Sequence, residues 1–540
     1  LRPVRGAIER HRGSRRVESL FNASDPVAAI RALPADEFFY VMHELGFPEA
    51  LDLLIHGTAE QVQGALDLAI WDNDQVSLER STEWLAAIAQ APYETVGAWA
   101  KGIDVELLAL LLRQRARVYE LSEDQEAPDS EGIVYTTPDR LFALEMLGDE
   151  TTQRITHHLV EDLYRADHNM MRRLLVGLKG EMDSELEEMA FRWRNGRMAD
   201  MGFVDFYEAL EIYREVDLAS VRLASAPVPE AAKTDDEAVR VLPLVMADRL
   251  AGTTPFARAV AGLEPALAAK VHEALALLCN TVLSADRVSP GDDQGVADVL
   301  GRVAATLDLA LEYLQRRDQS EGTAVLRGLP LPLLFRLGVS LIGKLRKLGR
   351  SLQTRNPFAR LRPQVDLWEP EDAEVLDAVT KLRPQFPGML DNPPQPGTRP
   401  FGKLADLTVV SAAVERAGAA LAMLLGLGVR PEHLTEEHWA ELGIADPAEL
   451  DSGLLVRTIL VRRLSGDETA GLAALSDAAI ADFKQKFGKG QQDTENMVKS
   501  AALVLQAAAP GGRFTPASEA VAARWLQSLA PLGPVLRKKS

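Results

Sequence analysis

The chain has almost no cysteine: one residue in 540, Cys279. A single thiol cannot form an internal disulfide or a cysteine-rich zinc site. Within Ala274-Leu275-Ala276-Leu277-Leu278-Cys279 it reads as a small buried apolar residue, with a reactive thiol as the alternative. Long apolar runs are missing too. No stretch approaches roughly 18 uninterrupted apolar residues, so no transmembrane helix is expected. The basic start, Leu1 to Arg16, lacks the apolar segment of a secretory signal. Aromatics make up only 6% of the chain and alternating runs are scarce; Ile133-Val134-Tyr135-Thr136 is the best strand candidate. There is no phosphate-binding P-loop, no G-x-G-x-x-G after a strand and no G-x-S-x-G. His43-Glu44 and His272-Glu273 each lack the second histidine of a zinc-protease helix. Positive charge is in deficit. A net charge of -20 repels a polyanion before any local patch engages, which makes nucleic acid an unexpected partner. These absences together lead to an expected cytoplasmic location.

What is present is helix. The hydrophobic fraction of 47% and charged fraction of 26% are those of a soluble globular protein. At 540 residues the chain exceeds one ordinary core, so several domains or an elongated array are expected. Phe38, Val41, Met42 and Leu45 recur at helical spacing, as do Val62, Ala65, Leu66, Ala69 and Ile70. Proline followed closely by an acid marks helix starts at Pro34, Pro48, Pro92, Pro138, Pro370, Pro431, Pro447 and Pro516. Proline at the first helical position loses no needed N–H, and acids in the first turn face the positive end of the helix dipole. Thr58 with Gln61 forms a capping-box pattern, and Gly46 and Gly57 stand where helices end. The fold class expected is all-α: a superhelical array of short stacked helices followed by helical bundles.

Breaks in this pattern divide the chain. A basic arm (1–24) precedes helical blocks at 25–121 and 137–224, with an acidic loop at Ser122–Ser130. A linker follows at 225–237, then a block at 238–352 ending in a basic amphipathic segment, a Pro-rich connector at 353–402 with one helix near Pro370–Leu382, and a C-terminal helical domain at 403–530.

The first block carries Leu33-Pro34-Ala35-Asp36, Phe47-Pro48-Glu49 and Thr58-Ala59-Glu60-Gln61, each opening a short leucine-rich helix. In this it resembles the superhelical N-terminal cytosolic domain of MgtE-type magnesium transporters, and related arrays of flagellar motor-switch proteins. The likeness spans 25–121 and includes no counterpart of the transporter's nucleotide-sensing or membrane domains, so it implies architecture and no transport role. Around Arg194-Asn195-Gly196-Arg197-Met198-Ala199-Asp200-Met201-Gly202-Phe203-Val204-Asp205-Phe206-Tyr207-Glu208-Ala209-Leu210 the chain is similar to an uncharacterised delta-proteobacterial family defined only as a domain of unknown function. That resemblance implies helices and carries over no activity.

Four segments invite chemistry. His157, His158, Glu161, Asp162, Asp167 and His168 are placed in one helix, where i, i+4 pairs can chelate a metal or simply stabilise a solvated face. Di-iron bundles need two Glu-x-x-His elements, which the chain lacks. The segment Met182–Arg197 runs from acidic to basic, as a helix dipole prefers, and a loop at Asn195-Gly196-Arg197 would offer Arg197 to an anion or fold it onto Trp193 or Phe191. From Gly322 to Val365 there is no Asp or Glu, yet the stretch holds Arg327, Arg336, Lys344, Arg346, Lys347, Arg350, Arg355, Arg360 and Arg362. Its stripe Leu334, Leu337, Leu341, Leu345 and Leu348 marks a helix. That helix reads as a core element with solvated cations, as a docking surface for an acidic partner, or as an in-plane membrane helix. The arm with Arg2, Arg5, Arg10, Arg12, Arg15 and Arg16 is a solvated tail or a phosphate contact, and Arg462-Arg463-Leu464-Ser465 resembles a basic-directed kinase target.

The expected function is a non-enzymatic cytoplasmic scaffold or adaptor binding an unknown protein partner, without a cofactor. A peripheral membrane or polyanion role for 327–362, through Arg336, Lys344, Arg346, Lys347, Arg350 and Arg355, is the first alternative. A metal enzyme using His157, His158, Glu161 and His168 is the second.

Overall fold

The computed structural model describes residues 20–72, 74–121, 128–180, 183–223, 254–361, 367–444, 446, 450–467, 472–487, 491–529 and 532–538. Most of the basic arm, the linker 225–237, the acidic loop from 122 to 127, Arg362 and the helix start at Pro447 lie outside the described residues. The fold is all-α, with 69% of the chain helical and only short strands. The residues fall into two compact units. One is assembled from Leu1–Arg214, Arg222–Ala304 and Arg317–Arg336, the other from Glu215–Val221, Ala305–Arg316 and Leu337–Ser540.

The first unit opens with seven short helices: α1 (Pro26–Arg31), α2 (Ala35–Leu45), α3 (Phe47–His56), α4 (Ala59–Ala69), α5 (Leu78–Ile88), α6 (Tyr93–Gly102) and α7 (Val105–Arg113). The capping box at α4 is complete: the Thr58 N–H donates to Gln61 Oε1 at 2.9 Å and the Gln61 N–H to Thr58 Oγ1 at 3.2 Å. Gln61 also donates through Nε2 to the carbonyls of Ile30 at 2.8 Å and Leu33 at 2.7 Å, tying α4 to the chain that leaves α1. Pro48 lies in the first turn of its helix as expected, and Pro26, which no acid follows closely, does the same in α1. Pro34 and Pro92 instead occupy the N-cap, one residue earlier, where an absent N–H is equally harmless. Gly46 takes φ +77, which an L side chain resists. Gly57 is an ordinary extended residue; a Cβ there would lie 2.7 Å from Cζ of Phe38, so contact, not conformation, demands glycine.

Helix α4 is the centre of this unit. Every residue from Gln61 to Ala69 is buried, and α2, α5, α6 and α10 pack around it. The unit continues with α8 (Glu150–Ala166), α9 (His168–Gly180), α10 (Asp183–Asp200), α11 (Phe206–Ala209), α12 (Pro255–Ala261) and α13 (Pro265–Asp286), then the greater part of α14 (Asp293–Asp318), α15 (Gly322–Gly328) and the start of α16 (Leu331–Arg355). Cys279, on α13, is fully buried, and burial pushes its thiol up to about 12.

Strands are few. β1 (Trp71–Asp72) and β2 (Gln75–Val76) form a hairpin. β3 (Ala116–Glu120), β4 (Val134–Thr136) and β5 (Phe142–Met146) form an antiparallel sheet ordered β3-β5-β4, with Leu144 opposite both Val118 and Tyr135. The strand candidate at 133–136 is therefore present as β4.

The second unit contains the rest of α16, then α17 (Pro370–Thr380), α18 (Leu404–Gly426), α19 (Glu436–Leu442), α20 (Ser452–Leu464), α21 (Asp477–Phe487), α22 (Gln491–Ala508) and α23 (Pro516–Gln527). Helix α18 is central, packed against α17, α20, α22 and α23 around Met423, Leu424, Val456, Leu460, Leu505 and Trp525. In the Pro-rich connector, β6 (Phe386–Pro387) pairs with β7 (Thr398–Arg399). Arg399 fastens this hairpin to the start of α18, bonding Asp391 at 2.8 Å and Asp406 at 2.9 Å with its guanidinium over the Phe386 ring. Arg524 on α23 similarly holds the start of α17 through Asp372 at 3.0 Å and Glu369 at 3.1 Å.

Helices α13 and α18 are long and apolar enough to cross a membrane by length and composition, with a little under half of each apolar window buried inside the fold. Helices α15 and α16 pass the same measure as a pair, but are bent by 114° where they meet. The expectation of no span rested on unbroken runs. Lys270, His272 and Glu273 interrupt α13, and Glu415 and Arg416 interrupt α18, without lowering the average hydropathy enough to fail it.

Candidate anion-binding face

The middle of the basic segment, with Arg336, Lys344, Arg346, Lys347, Arg350 and Arg355, forms one continuous helix, α16, while Arg327 lies on α15. Leu334, Leu337, Leu341 and Leu345 are buried along it, as their spacing requires, whereas Leu348 is 39% exposed and leaves the stripe. Gly338 permits close approach: a Cβ there would lie 2.6 Å from the Thr306 carbonyl oxygen. Gly338, a residue that would weaken this helix in isolation, thus serves its packing.

Its cations divide into two sets. Arg336, within the first unit, donates to the Arg214 carbonyl at 3.1 Å, and Lys347, within the second, pairs with Glu215 at 2.6 Å. Lys344, Arg350 and Arg355 are exposed and have no carboxylate partner among the described residues. Arg346 is half-buried and its Nε is shielded from solvent without a hydrogen-bond partner. Burial, followed by the like charges of Arg350 and Arg383, lowers the Arg346 pKa below the ordinary guanidinium value. Arg350 stands one turn along α16, and Arg383 arrives from the bend after α17, which packs on Gly349 through Thr380. Three guanidiniums therefore share one neighbourhood, with Leu382 nearby in sequence and 67% exposed. The planar forks of Arg350 and Arg355, exposed and with no carboxylate partner among the described residues, suit a carboxylate or phosphate group. Arg383 was outside the segment the sequence marked. Lys381-Leu382-Arg383 is basic, but only the turn after α17 brings it to α16.

The other candidate residues are placed differently. The histidine segment is two helices, not one: α8 ends at Ala166, and Asp167 adopts extended backbone and accepts from the Met170 N–H at 2.9 Å, so His168 begins α9. His157 meets the edge of Tyr135 with ring centroids 5.5 Å apart, His158 lies 3.5 Å from Asp162, and Glu161 is exposed. Among the described residues no group of three His, Cys, Asp or Glu side chains is placed to hold a metal.

Asn195 and Gly196 do not form a loop either; they lie inside α10. Arg197 turns inward, bonding Asp67 through Nε at 2.5 Å and Nη2 at 3.0 Å, and Asp104 through Nη1. Arg194 donates to the Asp67 carbonyl at 2.9 Å and lies over the Trp71 ring, in place of the expected packing of Arg197 on Trp193 or Phe191. Burial opposes the Arg197 charge, but the two carboxylates outweigh it and hold its pKa above the ordinary value. Gln63 completes the cluster, donating to Asp67 at 3.1 Å and accepting from the Asp104 N–H at 2.8 Å. Arg462 pairs with Asp467 at 2.7 Å, and the Ser465 hydroxyl beside it is buried, away from any modifying enzyme.

No curated protein and no solved structure matches the chain. A family model does, across residues 1–535. The chain belongs to the family of unknown function DUF6178.

Proposed function

We propose that the protein is a non-enzymatic, cytoplasmic helical scaffold that docks an acidic segment of another protein on the C-terminal part of α16. The observation that carries this reading is the set Lys344, Arg350 and Arg355, exposed along α16 with no carboxylate partner among the described residues, in a chain whose net charge is -20. Like charges held together lose Coulomb energy, and a partner that neutralises them recovers it. Exposed Leu348 and Leu382 add apolar area of the kind an acidic peptide with interspersed leucines would cover. The serial short helices α1–α7 support the finer reading that residues 25–121 stack as a superhelical array like the MgtE cytosolic domain, offering further surface for binding. The buried leucines of α16 weigh against the membrane alternative, because lipid would need the face that the core already covers.

The test uses fluorescence anisotropy with a labelled peptide of alternating glutamate and leucine, at several salt concentrations. The expected result is salt-sensitive binding that drops at least tenfold in the triple variant K344E/R350E/R355E. Equal binding by both proteins would overturn the reading. Salt-sensitive sedimentation with phosphatidylserine vesicles, without peptide binding, would overturn it in favour of the membrane alternative.

A further inference from the structure

A pocket of about 250 Å³ lies wholly within the first unit, between α2, the start of α3 and α5. Helical spacing puts Phe39, Met42 and His43 on one side of α2, and Glu83 and Trp84 are supplied by α5. Gly46, with its left-handed backbone, turns the chain so that Phe47 closes the end. The rings are mutually ordered. Phe39 and Trp84 are nearly parallel, 22° apart with centroids at 6.3 Å, and Phe47 meets Trp84 edge to face at 5.0 Å. A cavity of about 150 Å³ accepts a benzene ring, so this one holds a group of similar or slightly larger size.

The charges around the pocket decide what that group is. Arg80 is already engaged, donating to Ser289 Oγ at 3.0 Å and lying 3.8 Å from Asp72. His43 has Asp293 3.6 Å from its Nε2 and packs edge-on against Phe39. Glu83 alone is exposed and has no partner among the described residues. The one uncommitted charge at the pocket is therefore negative, and it stands beside indole and phenyl rings whose π faces are themselves electron-rich. Aromatic faces attract cations, tryptophan most strongly, and a nearby carboxylate adds to that attraction.

We infer that this pocket binds a small organic ammonium group, the indole of Trp84 and the rings of Phe39 and Phe47 surrounding its alkyl shell and the Glu83 carboxylate facing its charge. The group arrives either on a free small molecule or on a methylated lysine of another protein; the recognising chemistry is the same.

Isothermal titration of the full chain with choline and with 3,3-dimethylbutan-1-ol, its neutral isostere, tests the inference. Choline is expected to bind at least tenfold more tightly, and equal affinities would overturn the assignment. Glu83→Gln, on an exposed position where folding is not at stake, is expected to weaken choline about fivefold and leave the neutral alcohol unchanged. Trp84→Leu is expected to weaken choline by about tenfold. If Trp84→Leu unfolds the protein, the Glu83→Gln comparison still decides: unchanged choline affinity there refutes the role of the carboxylate. Titration with a trimethyllysine peptide against its unmodified form then identifies the source. Choline binding without peptide binding assigns a small molecule, and selective peptide binding assigns a protein. Absence of binding in all arms refutes the site.

Discussion

Two arginine clusters in this protein look alike in sequence and differ in kind. Arg194 and Arg197 on α10 meet Asp67 and Asp104 in the interior of the first unit, and Asp67 is fully buried. Arg346 on α16 feels the like charges of Arg350 and Arg383, and neither Arg346 nor Arg350 has a carboxylate partner among the described residues. The first cluster is closed: every charge has its counter-charge, and the guanidinium of Arg197 joins α4, α7 and α10. The second is open, with an unbonded Nε and like charges facing one another. An arginine's role is thus set by what it meets, and what it meets is decided by residues more than a hundred positions away, as Asp67 is from Arg197.

The sharpest way to break this contrast is to open the closed cluster. Arg197→Ala leaves the Asp67 carboxylate buried with no guanidinium on its oxygens, and is expected to destabilise the first unit by about 3–5 kcal/mol in urea unfolding. The double variant Asp67→Asn with Arg197→Met, which removes both charges, is expected to recover part of that loss.

A smaller effect is expected at Arg399, a closed cluster nearer the surface of the second unit. Arg399→Ala is expected to lose about 1–2 kcal/mol at neutral pH, because the guanidinium is more than one-third exposed and partly screened. Its hydrogen bonds hold the Asp391 carboxyl below the ordinary range. Asp406 is also held below it, Arg399 and the N–H groups of Gly402 and Lys403 outweighing its burial. Carboxyls depressed in the folded state contribute stability above their unfolded pKa and lose it as pH falls through the folded value. Stability measured between about pH 5 and pH 2 is therefore expected to fall more steeply in the wild type than in Arg399→Ala.

The open cluster is expected to respond least in stability. The double variant R346Q/R350Q, which removes the repulsion without adding a new one, is expected to change unfolding free energy by no more than about 0.5 kcal/mol per site, with a neutral or stabilising sign at low salt. Added salt, which screens like charges, is expected to raise the wild-type midpoint more than that of the variant. A marked loss of stability in the double variant would erase the distinction drawn between the clusters.

Local chemistry made much of the fold legible. The Thr58 capping box, the proline starts at Pro48, Pro370 and Pro516 and the leucine stripe of α16 as far as Leu345 are short-range signals that the fold realises, whereas Pro138, expected to start a helix, lies in the turn between β4 and β5. Short strands were harder. β5 carries Phe142-Ala143-Leu144, whose burial on consecutive positions hides the alternation that marks a half-solvated strand. The histidine segment misled because Asp167 suits a helix face and an N-cap equally, and here its side chain caps. The Asn195-Gly196 pair misled in the opposite direction: neighbouring contacts on α10 override two weak helix formers. Of the α16 face, the cations were visible. Arg383 was not, since nothing short of the turn after α17 connects it to Arg346. The pocket of Phe39, Phe47 and Trp84 was equally hidden, because aromatics at helical spacing read as core until their neighbours are known.

Cys279, alone of its kind and sealed inside α13, gives this protein a built-in clock. Alkylating reagents attack the thiolate, and both the missing solvent and the raised pKa withhold it while the first unit stays shut. Each labelling event therefore records one breath of that unit. Measured against the labelling speed of an unprotected thiol, the tempo of those breaths is an opening free energy for the interior around α13, obtained without denaturant and without installing a probe.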